Sequence, residues 1–326
     1  MADMAAGAYF SAKALSEPVP VQQMIEGWQQ AGVGEQAQAK ARAGVAFKWD
    51  KPLAGGVVLN DVGVEKRWDY YLAFTRDTAR FYSRLESQTL DVGRYPLDLD
   101  VNALESRALY ATFSQVYGAA RWSLRVNGLK AQTLQYGSLK GEGEVLASGE
   151  YSFEYDLDYQ YSHDHLLNRS GNLGGGYGYS LDAQFEFRFA SGLGLTAAVE
   201  DGVHRIFWQD VSRSEGCLFR QREQLNVCQQ NFVQDSQRDF VQTLPAEYQL
   251  RLDYQSVYVA LHEWNGQYFF PVAWRYKNVT AQYDSIQQVV GVSWSRGEYA
   301  LLSLGLDNPN PAQAKVWQLA LKYFWI

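Results

Sequence analysis

The chain has 326 residues, a formal charge of −7, 15% aromatic residues and only two cysteines. No basic run or clustered Lys/Arg stripe is present, which argues against a nucleic-acid partner. No run of 18 apolar residues offers a transmembrane helix, yet a mean hydropathy of −0.33 is compatible with a membrane β-barrel, whose strands spend every second residue on the lumen.

The opening residues carry neither a basic n-region nor an apolar h-region, so they follow either a cytosolic start or a removed signal peptide; the rest of the pattern favours the second. Ser16–Pro20 is an extended, proline-punctuated stretch, and residues 21–30 predict a short helix carrying Met24, Ile25 and Trp28. Residues 1–35 are therefore expected to form a hatch folded into a lumen, with a periplasmic tail or partner-binding helix as the alternative. From Gln36 onward, two-residue alternation sets Ala37, Ala39, Ala41, Ala43, Val45, Phe47 and Trp49 against Gln36, Gln38, Lys40, Arg42 and Lys48.

Turn signals at 76–77, 117–118, 148–149, 191–192, 265–266 and 296–297 separate strand candidates, and longer polar connections lie near 51–63, 89–103, 164–176, 209–243 and 307–313. Reading these as alternating short turns and long loops places strands at 36–50, 64–75, 78–88, 104–116, 119–134, 137–147, 150–163, 177–190, 193–208, 244–264, 267–283, 286–295, 298–306 and 314–326. The fold class expected is all-β: a closed, antiparallel, up-and-down transmembrane β-barrel of about 14 strands, with 12 or 16 as alternatives, over residues 36–326. Both chain ends then fall on the periplasmic side.

The clearest strand is 151–161. Tyr151, Phe153, Tyr155, Leu157, Tyr159 and Tyr161 form an aromatic face, backed by Ser152, Glu154, Asp156, Asp158 and Gln160. A second copy runs from Tyr177 to Phe189. A soluble sandwich would turn the aromatic face inward; strands this long, Tyr- and Trp-rich, and this numerous favour a barrel with its dry face toward lipid, because about fourteen strands enclose a lumen too wide for side chains to fill.

In the last strand Trp317, Leu319, Leu321, Tyr323 and Trp325 share a face, one residue before Ile326. It resembles the C-terminal signature strand of bacterial outer-membrane barrels, departing from it in ending on Ile rather than an aromatic. Gly178–Asp182, Gly192–Asp201, Arg205–Trp208 and Leu244–Tyr254 together resemble paired strands of the long-chain fatty-acid transporter superfamily. That resemblance implies fourteen strands, an N-terminal hatch and passage of a hydrophobic solute.

The inward wall supplies the candidate lumen residues Glu154, Asp156, Asp158, Asp182, Glu186, Arg188, Glu247, Arg251 and Asp253, which either select ions in a water-filled pore or only brace the wall. The acid excess at Glu154, Asp156 and Asp158 favours cations. Cys217 and Cys228 predict a disulfide within the long 209–243 loop. His163 and His165 flank Asp164 and share a strand face, but two ligands without a third are more often solvated than metal-bound. No cofactor and no nucleophile–base set is legible. The expected function is an outer-membrane channel or transporter for a small, hydrophobic solute, contacting outer-membrane lipids and not an enzyme. The alternatives are a structural barrel that serves a secretion, pilus or polysaccharide assembly through a periplasmic or extracellular protein partner, and an outer-membrane hydrolase built around His163 and His165.

Overall fold

The computed structural model describes residues 5–325 except 27, 29–31, 33, 147–149, 165–168, 173, 222–223, 228–233 and 298. The chain winds as one antiparallel meander of fourteen wall strands. These begin with β1 (Ala5–Ser16), β2 (Gln36–Pro52), β3 (Val57–Phe74), β4 (Gly93–Tyr117) and β5 (Ala120–Val145). β6 comes in two segments, Tyr151–Tyr161 and Gly175–Arg188, both laid along β5. β7 (Gly194–Gln221) pairs with both, and β8 is again split, Gln234–Gln242 and Glu247–Tyr254. The meander continues through β9 (Val257–Trp264), β10 (Gln267–Phe269 and Pro271–Tyr276), β11 (Val279–Asp284), β12 (Val290–Arg296), β13 (Ala300–Leu306) and β14 (Val316–Trp325). β14 then pairs with β1, Trp325 opposite Ala6 and Val316 opposite Leu15, and the ring is closed.

Alternation decides which face is dry. The outward side chains include exposed Val64, Leu109, Val126, Leu250, Leu261, Val272, Val292, Leu302 and Leu321, an apolar belt with no protein cover. Aromatics border it on both sides: Trp49, Tyr117, Trp122, Tyr254, Tyr276 and Trp325 near the chain termini, and Tyr70, Tyr177, Phe207, Tyr268 and Tyr283 near the opposite end. An apolar band between two aromatic girdles is the outer surface of a barrel that spans a membrane. Connections at the termini end are short (53–56, 118–119, 189–193, 255–256, 277–278, 297–299); at the other end lie the long ones, 17–35, 75–92 and 307–315 among them. By the convention for barrels that span an outer membrane, the rim of long connections is named extracellular and the rim of short turns periplasmic.

The wall is uneven. β4, β5 and β7 run 25, 26 and 28 residues, whereas β9 and β11 run 8 and 6. A bilayer needs about 9–11 residues of tilted strand, so one side of the barrel projects well beyond it.

The strand number matches the expectation, but by a different route. Most of the expected strand 78–88 is instead a helix, α2 (Arg76–Glu86), started by Thr75, whose hydroxyl accepts from the Thr78 N–H at 3.2 Å. Segments 119–134 and 137–147 are one strand, β5, because Gly137 continues the ladder where a turn is expected. Segments 150–163 and 177–190 are the two halves of β6. Against these losses, 244–264 and 267–283 each conceal a turn, at Gln255 and Lys277, both at positive φ, and residues 5–16 add β1.

The N-terminal expectation is corrected by the same observation. Ala5–Ser16 is wall, hydrogen-bonded on both edges, so the wall includes residues 5–16 and does not start at 36. The connection that follows carries α1 (Val21–Glu26) over the outside of the extracellular rim. There Met24 and Trp28 pack with Val19, Ala37, Leu72, Phe74, Ala79 and Leu99 rather than entering the lumen; the Ile25 side chain lies outside the described residues. Alanine-rich strands alternate weakly, which hides β1 in the sequence.

α2 covers the same outer surface. Phe81 and Leu85 pack on Tyr95, Leu97, Leu139, Val145, Leu157 and Tyr159, and Gly143 leaves room for the Phe81 ring. Tyr151, Leu157, Tyr159 and Tyr161 of the aromatic face of 151–161 thus pack against protein rather than lipid. Phe81→Ala should remove about 3–5 kcal/mol of local packing and open residues 75–92 to added protease. The barrel itself should keep its heat-modifiable migration on denaturing gels.

Candidate functional site: a lumen filled by its own side chains

Inside the barrel, one connected set of buried apolar residues draws on eight of the fourteen strands and two connections. It comprises Leu15 from β1, Tyr71 from β3, Leu104 and Ala108 from β4, Leu129, Ala131 and Leu134 from β5, and Ile206, Trp208 and Val211 from β7. Leu244, Trp264 from β9, Phe269 from β10, Val289 and Val316 from β14 complete it. Side chains from opposite walls touch only where the cross-section is filled. Trp208 and Trp264 are each 1% exposed, and Ile206 and Val211 not at all.

The two tryptophans are fixed by hydrogen bonds. Trp208 Nε1 donates to Gln242 Oε1 at 3.0 Å, and Gln242 in turn donates to Asn102 Oδ1 at 2.8 Å. Trp264 meets Tyr71 edge-on, ring centroids 6.4 Å apart. Leu244 reaches the layer because β8 leaves the ladder between Gln242 and Glu247, where the Leu244 N–H donates to His204 Nδ1 at 3.3 Å.

On the periplasmic side of this layer lies a cluster of charges. Five cations, Lys13, Lys40, Arg42, Arg67 and Arg125, face six carboxylates, Glu65, Asp69, Asp182, Glu200, Asp201 and Glu247. Asp201 is its centre. Arg67 donates to both its oxygens at 2.7 Å, Arg42 to Oδ2 at 2.8 Å, and Lys40 Nζ sits 3.1 Å away. Glu247 holds Lys13 and, at 2.6 Å, His262; Glu65 accepts from Tyr9 and from Arg125 at 2.7 Å. The Arg125 guanidinium also lies 3.5 Å from the Tyr110 ring centroid.

A break in the wall makes this possible. The β6–β7 register shifts between Val199 and Val203, and Asp201 has φ 51°. Such a bulge lets consecutive residues face the same side, so Glu200 and Asp201 both enter the lumen, where regular alternation would send one to lipid. The Asp201 N–H is taken by Asp182 at 2.7 Å.

Cavities flank the filled zone. On the periplasmic side one of about 690 Å³ is lined by Tyr9, Arg125, Asp182, Glu200, Tyr258 and Gln282. On the extracellular side one of about 620 Å³ is lined by Asp100, Asn102, Tyr136, Asp158, Arg238 and Phe240. Its floor is the apolar layer, and Tyr136, Phe240 and Trp208 form a stack, with centroids 5.5 and 6.2 Å apart.

The nine lumen candidates all lie on the inward face, but at three levels. Glu154, Asp156 and Asp158 stand in the extracellular extension, above the filled layer. There Arg213 donates to both oxygens of Asp158 at 2.8 Å and holds its carboxyl below the usual range. Asp182 and Glu247 belong to the charge cluster. Glu186, Arg188, Arg251 and Asp253 line the periplasmic mouth, where Arg188 pairs with Asp253 at 3.0 Å. The cluster's other members are not among these candidates, although Lys40 and Arg42 in β2, and Glu65, Arg67 and Asp69 in β3, repeat every second residue.

His163 sits in a two-residue pairing with Arg169–Ser170 between the halves of β6, and His165 lies outside the described residues. Among the described residues no three His, Cys, Asp or Glu groups are placed to hold a metal ion. Cys217 is buried in β7 and is not a free thiol, while Cys228 lies outside the described residues.

No protein-family model and no curated protein matches this chain. Among solved structures, the chain is similar to the siderophore receptor PirA from Pseudomonas aeruginosa, at 8% identity and a TM-score of 0.24, over 100% of this chain and 81% of that one. It is also similar to OccK9 (OpdG) from Pseudomonas aeruginosa, at 11% identity and a TM-score of 0.16, over 99% and 98% of the two chains.

Removing one partner from a buried ion pair costs about 3–5 kcal/mol because the other charge is left uncompensated. Asp201→Asn should therefore lower stability by that order, read as a lower urea midpoint for loss of the folded, heat-modifiable form. Asp253→Asn, at the solvated mouth, should change it by less than about 1 kcal/mol.

Proposed function

We propose that this chain is an outer-membrane channel or transporter that passes a small solute through a lumen gated by its own side chains. The observation that carries this reading is the filled cross-section of a fourteen-strand ring. A barrel this wide has room for an aqueous channel, and here Trp208, Trp264, Leu244 and the Asp201 cluster occupy it. A solute from outside would come to rest in the extracellular cavity, with the Tyr136–Phe240 stack and apolar floor beneath it and Asn102, Asp158 and Arg238 around it. That mixture suits a molecule with one apolar face, in keeping with the hydrophobic solute implied by the resemblance to fatty-acid transporters. Passage requires the apolar layer to part and the charge cluster to rearrange.

A structural barrel is the second reading, favoured by the ion pairs that tie β2 and β3 to β7 across the lumen. Its partner would bind the helix-bearing extracellular rim.

Planar-bilayer recordings separate the two. The intact protein should be silent, and the Trp208→Ala, Trp264→Ala double variant should give current steps. Neutralising Glu154, Asp156 and Asp158 in that variant should lower its cation preference. Steps from the intact protein would overturn the gating; silence from both, with insertion demonstrated, would favour the scaffold.

A further inference from the structure

The outer surface carries a feature that the lumen does not explain. On β3, β4 and β5 the ladder sets Lys66 opposite Arg107 and Arg107 opposite Lys130, all pointing outward. The next residue along this rung is Tyr177 on β6, and Arg205 on β7 stands outward opposite Tyr179. Four cations thus span five neighbouring strands. One carboxylate lies among them: Glu105, which binds Lys66 at 2.7 Å and accepts from Tyr70 at 2.8 Å. Lys66 also donates to Gln132 at 2.8 Å. Arg107, Lys130 and Arg205 have no carboxylate partner among the described residues.

The level of this strip decides what it meets. One pair toward the periplasm, Val64 faces Leu109 in the exposed apolar belt. Arg107 and Lys130 stand about ten residues from their short turns, which for a strand tilted by about 40° is roughly 25 Å, the height of a barrel's apolar band. Trp68, Tyr70, Tyr177 and Tyr179 surround them, with Lys66 5.3 Å from the Trp68 ring centroid and Lys130 5.8 Å from that of Tyr177. The cations therefore lie at the extracellular edge of the belt. The strip is also one-sided at this height: among the described strand residues of β9–β14 the one outward Lys or Arg is Arg296, at the far end of β12 near its short turn.

We infer that Lys66, Arg107, Lys130 and Arg205 form a binding strip for the phosphate groups of outer-leaflet lipid headgroups. At this height a free anion would reach the cations only through the headgroup layer, whereas a lipid already buries its chains against Val64 and Leu109 and presents its phosphate to Arg107 and Lys130. Cations held at a membrane surface attract anionic lipid headgroups. The lone, paired Glu105 leaves the strip with excess positive charge.

The test is thermal unfolding of the purified protein in detergent with added lipid A. Bisphosphorylated lipid A should raise the wild-type midpoint, and lipid A stripped of phosphate or inorganic phosphate alone should not. The variant with Lys66, Arg107, Lys130 and Arg205 all replaced by Gln should need at least tenfold more lipid A for the same shift. Arg107→Gln with Lys130→Gln, which leaves the Lys66–Glu105 pair intact, should show the loss even if the fourfold variant does not fold. Equal responses of wild type and double variant, or an equal shift with phosphate-free lipid, would overturn the strip. A shift with inorganic phosphate alone would overturn the lipid assignment.

Discussion

Much of this molecule depends on one carboxylate. Asp201 is taken out of water inside a low-dielectric wall, where an uncompensated charge would cost several kcal/mol, and three cations from two other strands converge on it. Lys40 and Arg42 come from β2 and Arg67 from β3, so the compensation runs across the lumen rather than along the wall. Once those side chains are drawn inward, the cross-section begins to fill. Leu15, Leu104, Ile206, Trp208 and Trp264 can then bury against one another above them. A wide ring is held in one shape by charges that need each other and an apolar layer that shields them.

The geometry that admits this is local irregularity in an otherwise regular ladder. Asp201 enters through a bulge, and Leu244 enters where β8 detaches between its two segments. Regular alternation builds the lipid-facing belt; interruptions of it build the interior. The unequal strand lengths have a comparable effect outside. Beyond the bilayer the outward aromatic face of β4–β6 would stand in water, and α2 with the 17–35 connection covers it.

How much of this was readable in the sequence follows from the same division. Period-two alternation over 151–161 and 177–189 gave the fold class and the facing of Glu154, Asp156, Asp158 and Asp182, because strand geometry leaves those no choice. It failed where alternation is shared with another structure. Residues 78–88 read as a strand, although Thr75 caps a helix whose Phe81 and Leu85 are four apart. It failed again where alternation was faint, as in the alanine-rich β1. The Asp201 cluster could not be assembled from spacing, because its members come from β1, β2, β3, β5, β6, β7 and β8 and meet only across the lumen. Gln255 and Lys277, at positive φ without a glycine at the same position, hid two turns.

The pairing of β1 with β14 gives the first and last wall strands a mechanical role. Every other neighbouring pair of wall strands is adjacent in sequence and can form as its hairpin emerges, whereas Ala6 meets Trp325 only after the whole chain is in place. The last seam is the one that abolishes the sheet's edges, and until it shuts, two rows of unpaired backbone groups stay open to other chains. What resembles a dispensable tail is therefore a fastener. Removing β1 would leave an unbuttoned sheet with exposed borders, prone to association rather than an emptied pore.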